Sequence, residues 1–261
     1  MVDAAGGNKD GAGTVRWRAC GGGAMVARAE WLDAAAALPA GSVDLVYADP
    51  PFNTGAAKVG RAGRYGDSFG SGEAHAAWLL PRVVALKRVL SARGSVVVHV
   101  DWRSSHRARM VLEEVFGEAC FVNHLVWSYG LGGSGPRAFA RKHDDLLWYS
   151  ARAGGHYFDP PRVPATSARM KGRMKKATDV IAIPAINNMA RERTGYPTQK
   201  PLALLELLVG ACCPPGGTVF DPCCGSGTAL LAAVALGRKA FGSDVSPAAV
   251  KVAESRLVGG G

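Results

Sequence analysis

Val219-Phe220-Asp221-Pro222-Cys223-Cys224-Gly225-Ser226-Gly227-Thr228 is the stretch whose reading decides the fold. Residues 218–220 predict a short strand, the glycines a tight turn, and the apolar run 227–236 a helix. Gly225 and Gly227 let the backbone approach a ligand closely and supply φ values that other residues dislike. The turn is neither G-x-G-x-x-G nor a phosphate loop, because no Gly-Lys-Ser/Thr follows. Downstream, a predicted strand over 239–242 runs out at Ser243-Asp244. An acid at the end of the second strand suits hydrogen bonds from ribose hydroxyls. The pairing predicts a nucleoside-containing cofactor without a pyrophosphate. The plain alternative is a tight turn with a solvent-facing aspartate.

Working outward, apolar runs at 24–29, 43–48 and 95–100 read as strands, and those at 74–90, 103–116, 202–211 and 247–257 as helices. Residues 33–38 read as a helical turn. Strands at 122–127 and 145–150 form a candidate antiparallel pair, joined by a basic, Gly-rich loop over 130–142. Residues 52–72 hold many glycines and no period, so a long loop is expected there, and from 154 to 195 the pattern dissolves. Strands alternating with helices predict an α/β fold with a mostly parallel sheet covered on both faces.

In such sheets ligands bind beyond the carboxyl ends of the strands. A second motif stands at one of those ends: Asp44-Leu45-Val46-Tyr47-Ala48-Asp49-Pro50-Pro51-Phe52. Two prolines cannot continue a ladder, and they stiffen the turn while leaving carbonyls free. A carboxylate, a free carbonyl and a flat ring on a stiff edge suit a planar ligand that carries an amine. Asp159-Pro160-Pro161 follows no comparable apolar run and reads as an ordinary turn.

The chain has 261 residues, with 31 Lys plus Arg against 21 Asp plus Glu, a formal net charge of +10. A surplus of that size is an argument for a polyanionic partner. The basic residues concentrate at Lys58, Arg61 and Arg64, at Arg137, Arg141 and Lys142, and at Arg162, Arg169, Lys171, Arg173, Lys175 and Lys176. No apolar run approaches the length of a transmembrane helix. Residues 1–14 lack an apolar stretch and read as a flexible tail. The six cysteines include two adjacent pairs and no CxxC unit, so zinc and disulfides are not expected, and a reduced, cytoplasmic setting is. The histidines show no ligand spacing, and no metal is expected.

Taken together, the two motifs resemble those of the permuted, β-class amino-methyltransferases of DNA, which use S-adenosyl-L-methionine. In that family an Asp-Pro-Pro-aromatic motif precedes the glycine motif, with the target-recognition segment between them, which is the order found here. Glu192-Arg193-Thr194-Gly195-Tyr196-Pro197-Thr198-Gln199-Lys200-Pro201 is similar to the family motif that precedes the cofactor loop. Val126-Trp127-Ser128-Tyr129 with Arg141-Lys142-His143-Asp144 resembles the hairpin beside the base pocket. The resemblance implies a Rossmann-like methyltransferase fold with circularly permuted motif order. Its mostly parallel, seven-stranded sheet would have one antiparallel hairpin strand and helices on both faces. It implies a single domain over 15–261, with 154–195 as an inserted recognition segment.

The resemblance assigns Asp49, Pro50, Pro51 and Phe52 to catalysis. It assigns Asp221, Pro222, Cys223, Gly225, Gly227, Thr228, Asp244, Thr198, Gln199, Lys200 and Glu30 to the cofactor, with Glu30 facing its adenine. Cys223 stands where the family more often has Phe. Tyr129 is a candidate for the second face of a flipped base, opposite Phe52. Arg137, Arg141, Lys142, Arg169, Lys171, Arg173, Lys175 and Lys176 are expected on double-stranded DNA. Asp at the first motif position leans towards adenine N6, where Ser leans towards cytosine N4. An RNA or protein methyltransferase and a silent DNA-binding subunit are the rival readings. A homodimer, a cognate restriction enzyme and association with a nucleoid are left open.

Overall fold

The computed structural model describes residues 14–130, 135–165, 167–187 and 190–259. All but the last residue of the expected 1–14 tail, and residues 131–134 of the basic loop, lie outside them.

The chain begins with a hairpin, β1 (Arg18–Gly21) and β2 (Ala24–Arg28), then α1 (Trp31–Ala36) and β3 (Val43–Ala48). A small hairpin follows, β4 (Lys58–Gly60) and β5 (Gly63–Tyr65). Next come α2 (Gly72–Val89), β6 (Leu90–Val100), α3 (Ser105–Phe116) and the antiparallel pair β7 (Phe121–Ser128) and β8 (His143–Ser150). After β9 (Arg162–Pro164), β10 (Met174–Lys176) and β11 (Val180–Ala182), the chain closes with α4 (Leu202–Cys212), β12 (Thr218–Asp221), α5 (Thr228–Ala235), β13 (Lys239–Asp244) and α6 (Pro247–Gly259).

Among the described residues, nine strands form one sheet in the order β1-β2-β13-β12-β3-β6-β8-β7-β11. Seven of them, β2 to β7 in that order, are the expected sheet, with β8 as its antiparallel strand. Two edge strands extend it: β1, antiparallel to β2, and β11, parallel to β7. Both are short and lack an apolar period, which is why the sequence does not announce them. The expected unstructured loop over 52–72 is likewise corrected: it carries the β4–β5 hairpin. The segment 154–195 is not patternless either, since β9 and β10 pair as an antiparallel ribbon and β11 joins the main sheet.

Strand β3 shows why the sheet needs two helical layers. Leu45 and Tyr47 point into a core shared with α4, α5 and α6, through Leu204, Leu208, Leu230 and Ala253. Val46 and Ala48 point the other way, against α1, α2 and α3, through Ala34, Leu79, Val83 and Leu112. Successive side chains alternate faces, so a strand buried on both sides must be apolar throughout. Asp44, the exception, is anchored where β3 begins. Its carboxylate accepts from Ser91 Oγ and the Thr218 N–H, both at 2.9 Å.

The sheet order also explains the permuted motifs. Strands β12 and β13 come late in the chain yet lie between β2 and β3. Register places Phe220 beside Val46, Asp221 beside Gly242, and Asp244 beside Arg28. Four neighbouring parallel strands therefore end together, and each delivers an acid at or just past its carboxyl end: Glu30, Asp244, Asp221 and Asp49.

Candidate active site

A cavity of about 260 Å³ opens along this row of acids. Its wall includes Glu30, Asp49, Asp221, Pro222, Cys223 and Asp244. Gly225, Thr228, Thr198, Gln199 and Lys200 reach it as well. Gly227 lies just behind, in the left-handed region at φ 75°. A Cβ there would come within 2.8 Å of Ala253 Cβ, so the start of α5 needs glycine to sit against α6. Gly225, at φ 50°, faces the Tyr196 ring, 3.2 Å from where its own Cβ would stand.

Asp244 organises the turn. Its two carboxylate oxygens accept from the Gly225 N–H at 2.9 Å and the Ser246 N–H at 2.8 Å. Burial raises its carboxyl pKa against those two bonds. Asp221, 3% exposed, is pushed up further. Burial is the main cause, and the nearby Asp49 and Asp244 charges add to it, while the Cys223 N–H bond opposes them. A cleft that holds its acids at such a disadvantage gains from a cationic ligand with hydroxyl donors. S-adenosylmethionine, a sulfonium with a ribose, has that chemistry. Trp31, Trp78, Tyr65 and Leu205, none singled out from sequence, add flat apolar wall to the same cavity. The residue that follows Glu30 was one available signal, a tryptophan opening a helix.

Glu30 reaches the cavity, but its carboxylate already has partners. One oxygen caps α1 through the Leu32 N–H at 2.6 Å, and the other pairs with Arg82 at 2.5 Å. Gln199 is turned into its own loop. It accepts from Thr194 N and Oγ1 and donates to the Glu192 carbonyl. Thr198, at φ 59°, takes the left-handed conformation that this folded loop demands, and its Oγ1 lies 3.2 Å from the Tyr65 hydroxyl on β5.

Lys200 departs most from expectation. Its ammonium donates to Asp49 Oδ2 at 2.5 Å and sits 5.2 Å from the centre of the Phe52 ring. The loop motif before α4 thus meets the Asp-Pro-Pro-Phe motif directly, across 151 residues of chain. The other oxygen, Asp49 Oδ1, is buried and has no hydrogen-bond partner among the described residues. Buried acceptors are nearly always satisfied, so an empty one in a cleft marks where a donor from outside belongs.

Behind Phe52 lies a buried relay that composition and spacing did not reveal. The Phe52 ring stacks on His99, centroids 5.9 Å apart and planes 30° off parallel. His99 is fully buried on β6, with Nδ1 2.7 Å from the Tyr47 hydroxyl and Nε2 3.2 Å from Asp144 Oδ2. Burial, then the surrounding acids, raise the Tyr47 hydroxyl well above its ordinary pKa, so it stays protonated. Tyr129 donates to Asp144 Oδ1 at 3.3 Å, with its own pKa pushed up to about 12, chiefly by burial. Burial would raise the Asp144 carboxyl, but the bond and charge of His99, then the Lys200 charge and the Tyr129 bond, hold it below its usual value. Phe52 and Tyr129, the two candidate base-facing rings, are therefore fixed by one network.

The expected DNA contacts occupy two outlying pieces. Arg137 and Arg141 are exposed on the β7–β8 loop and Lys142 half-buried at its end, while Arg169, Lys171, Arg173 and Lys176 are exposed on the β9–β10 ribbon. Lys175 is half-buried on that ribbon, and Lys176 lies over the Phe158 ring at 5.0 Å. Among the described residues no cluster could hold a metal ion, and no helix is long and apolar enough to cross a membrane.

Fold and cleft together define a methyltransferase of the nucleoside-sulfonium type. The model of the family described as DNA methylase, of N6 and N4 specificity, matches residues 43–255. The chain is 27% identical over 240 residues to the type II methyltransferase M.ScaI of Streptomyces caespitosus, covering 84% of this chain and 76% of that one. It is 27% identical over 236 residues to the DNA adenine methyltransferase YhdJ of Escherichia coli K12, covering 84% and 78%. Among solved structures, the cytosine-N4-specific PvuII DNA methyltransferase superposes with a TM-score of 0.68 at 17% identity, over 92% of this chain and 94% of that one. The chain belongs to the S-adenosylmethionine-dependent DNA amino-methyltransferase family.

Proposed function

We propose that the enzyme methylates adenine N6 in double-stranded DNA, with Asp49 as the acceptor that positions the amine. The observation that carries this is the buried, unpartnered Asp49 Oδ1 at the carboxyl end of β3. An exocyclic amine is a poor nucleophile, because its lone pair is delocalised into the ring. Asp49 Oδ1 and the Pro50 carbonyl accept its two hydrogens, favour a pyramidal nitrogen and aim the lone pair across the cleft. Lys200 holds Asp49 in place through the other oxygen. Phe52, backed by His99, stacks on the extruded base, and Tyr129 covers its second face. S-adenosylmethionine supplies the electrophilic methyl. Asp221, Asp244 and the Gly225 turn hold its ribose and methionine parts, and Thr198, Gln199 and Lys200 shape the loop beside it. Positioning and electrostatics of this kind supply much of a rate without a covalent intermediate.

The base must leave the duplex to reach the cleft, at a cost of about a few kcal/mol. Residues 154–195, with the basic ribbon, form the recognition segment in this reading, and their phosphate contacts make binding salt-dependent. In this reading the enzyme works in the cytoplasm. Asp at position 49 and the likeness to an adenine enzyme favour adenine over cytosine. The test is to incubate unmethylated duplex DNA with enzyme and cofactor, then hydrolyse and sequence the product. N6-methyladenine at one recurrent site is expected. N4-methylcytosine would overturn the base assignment and leave the Asp49 geometry standing.

A further inference from the structure

We propose that Phe139 is the wedge that occupies the duplex when the target base is drawn out. The proposal rests on the base-extrusion reading above. Phe139 is 99% exposed, more than any other large apolar side chain among the described residues. Single exposed apolar residues are common and need no explanation. Three observations set this one apart.

The first is its setting. Phe139 stands at the centre of Arg137-Ala138-Phe139-Ala140-Arg141, with one cation two residues to either side and small residues next to it. A ring flanked by guanidinium groups is matched to a polyanion with apolar gaps between stacked rings.

The second is its direction. Strand β7 runs parallel to β3 within the sheet, because each is antiparallel to β8 or parallel to β6. The β7–β8 loop therefore leaves from the carboxyl edge, the side on which Asp49 and Phe52 stand. The strand ends that carry it also carry Tyr129 and Asp144, which brace the proposed base pocket.

The third is its tether. The base of the loop is closed by the Tyr129 N–H, which donates to the Lys142 carbonyl at 3.0 Å. Arg141 lies 3.9 Å from the centre of the Trp102 ring, just past the carboxyl end of β6, and Arg103 lies 4.6 Å from the same ring. Arg103 is in turn paired with Asp101. Arg141, two residues after Phe139, is thereby anchored at the active edge.

Apolar side chains inserted between base steps unstack DNA and stabilise the distorted form. A base that moves into a protein pocket leaves such a gap behind. Arg137 and Arg141 would meet the flanking phosphates while the Phe139 ring stacks in the space left by the base.

The test uses the full-length enzyme and duplexes that carry its site, once the methylated product has been sequenced. One duplex is fully paired, and the other has an abasic residue opposite the target base, so extrusion meets less resistance. Phe139→Ala should lower methylation of the paired duplex at least tenfold and that of the abasic-facing duplex by no more than twofold. Phe139→Leu should restore most of the loss. Melting temperature and cofactor affinity should match the wild type, since the side chain is exposed. Equal losses on both duplexes, or no loss on the paired one, would overturn the wedge. A wild-type enzyme that binds a duplex carrying 2-aminopurine at the target position with no rise in fluorescence would instead overturn the base-extrusion reading, and the wedge with it.

Discussion

Replacing Asp49 separates two roles that the structure joins, since this carboxylate both faces the cleft and neutralises Lys200. Asp49→Ala removes both carboxylate oxygens and leaves a 9% exposed ammonium without its counter-ion. Breaking a buried pair from one side costs about 3–5 kcal/mol. Asp49 is itself 18% exposed, and the Phe52 ring 5.2 Å from the ammonium offers partial compensation, so the low end applies. A loss of about 3 kcal/mol, at about 2–4 °C per kcal/mol, lowers Tm by about 6–12 °C. The double variant Asp49→Ala/Lys200→Met removes the stranded charge and should regain most of that loss. Turnover should not return with it. Losing a group aimed at the reacting centre typically costs about 10²–10³ in kcat, and the acceptor is absent from both variants. Scanning fluorimetry follows stability, and methyl transfer from labelled cofactor to unmethylated DNA follows turnover. A double variant with more than about a tenth of wild-type turnover would refute Asp49 as the amine acceptor. A single variant whose Tm lies within about 2 °C of wild type would refute the argument from the buried pair.

Asp221 titrates from a pKa raised by burial, so its contribution to stability is full below the ordinary carboxylate range and is lost as pH rises through the raised value. Asp221→Asn should therefore raise the Tm of the cofactor-free protein at pH 7 by about 2–4 °C. It should also weaken cofactor binding roughly tenfold to a hundredfold by titration calorimetry, and a lower Tm with unchanged affinity would count against this account. Neutralising Lys171, Arg173, Lys175 and Lys176 together should reduce the slope of log affinity against log salt by roughly three to four, as measured by fluorescence anisotropy on duplex DNA. An unmoved slope would place the DNA elsewhere.

What could be read from the sequence was whatever had a local cause. Val43–Ala48 is apolar at every position but one because both of its faces are buried, and its end is marked by two prolines that cannot pair. The glycine turn declares itself because Gly227 alone fits against Ala253. The β4–β5 hairpin and the β9–β10 ribbon escaped, since three-residue strands with exposed faces carry no period. Lys200 was read as a cofactor residue and lines the cavity, but its bond to Asp49 depends on how the loop before α4 and the end of β3 meet in space. His99 was hidden inside a run of valines and gave no spacing signal, because its hydrogen-bond partners Tyr47 and Asp144 come from two other strands. Glu30 was read as a ligand group, yet the structure spends it on a helix cap and Arg82.

Cys223 lines the same cavity as the acids, and its thiol is held far above its ordinary pKa, by burial first and then by Asp221, Asp49 and Asp244. A sulfonium is an alkylating agent, and a thiolate is a far better nucleophile than an aromatic amine. Burial, with the neighbouring acids adding to it, therefore holds the cleft-lining sulfur of Cys223 as the thiol, its less nucleophilic form.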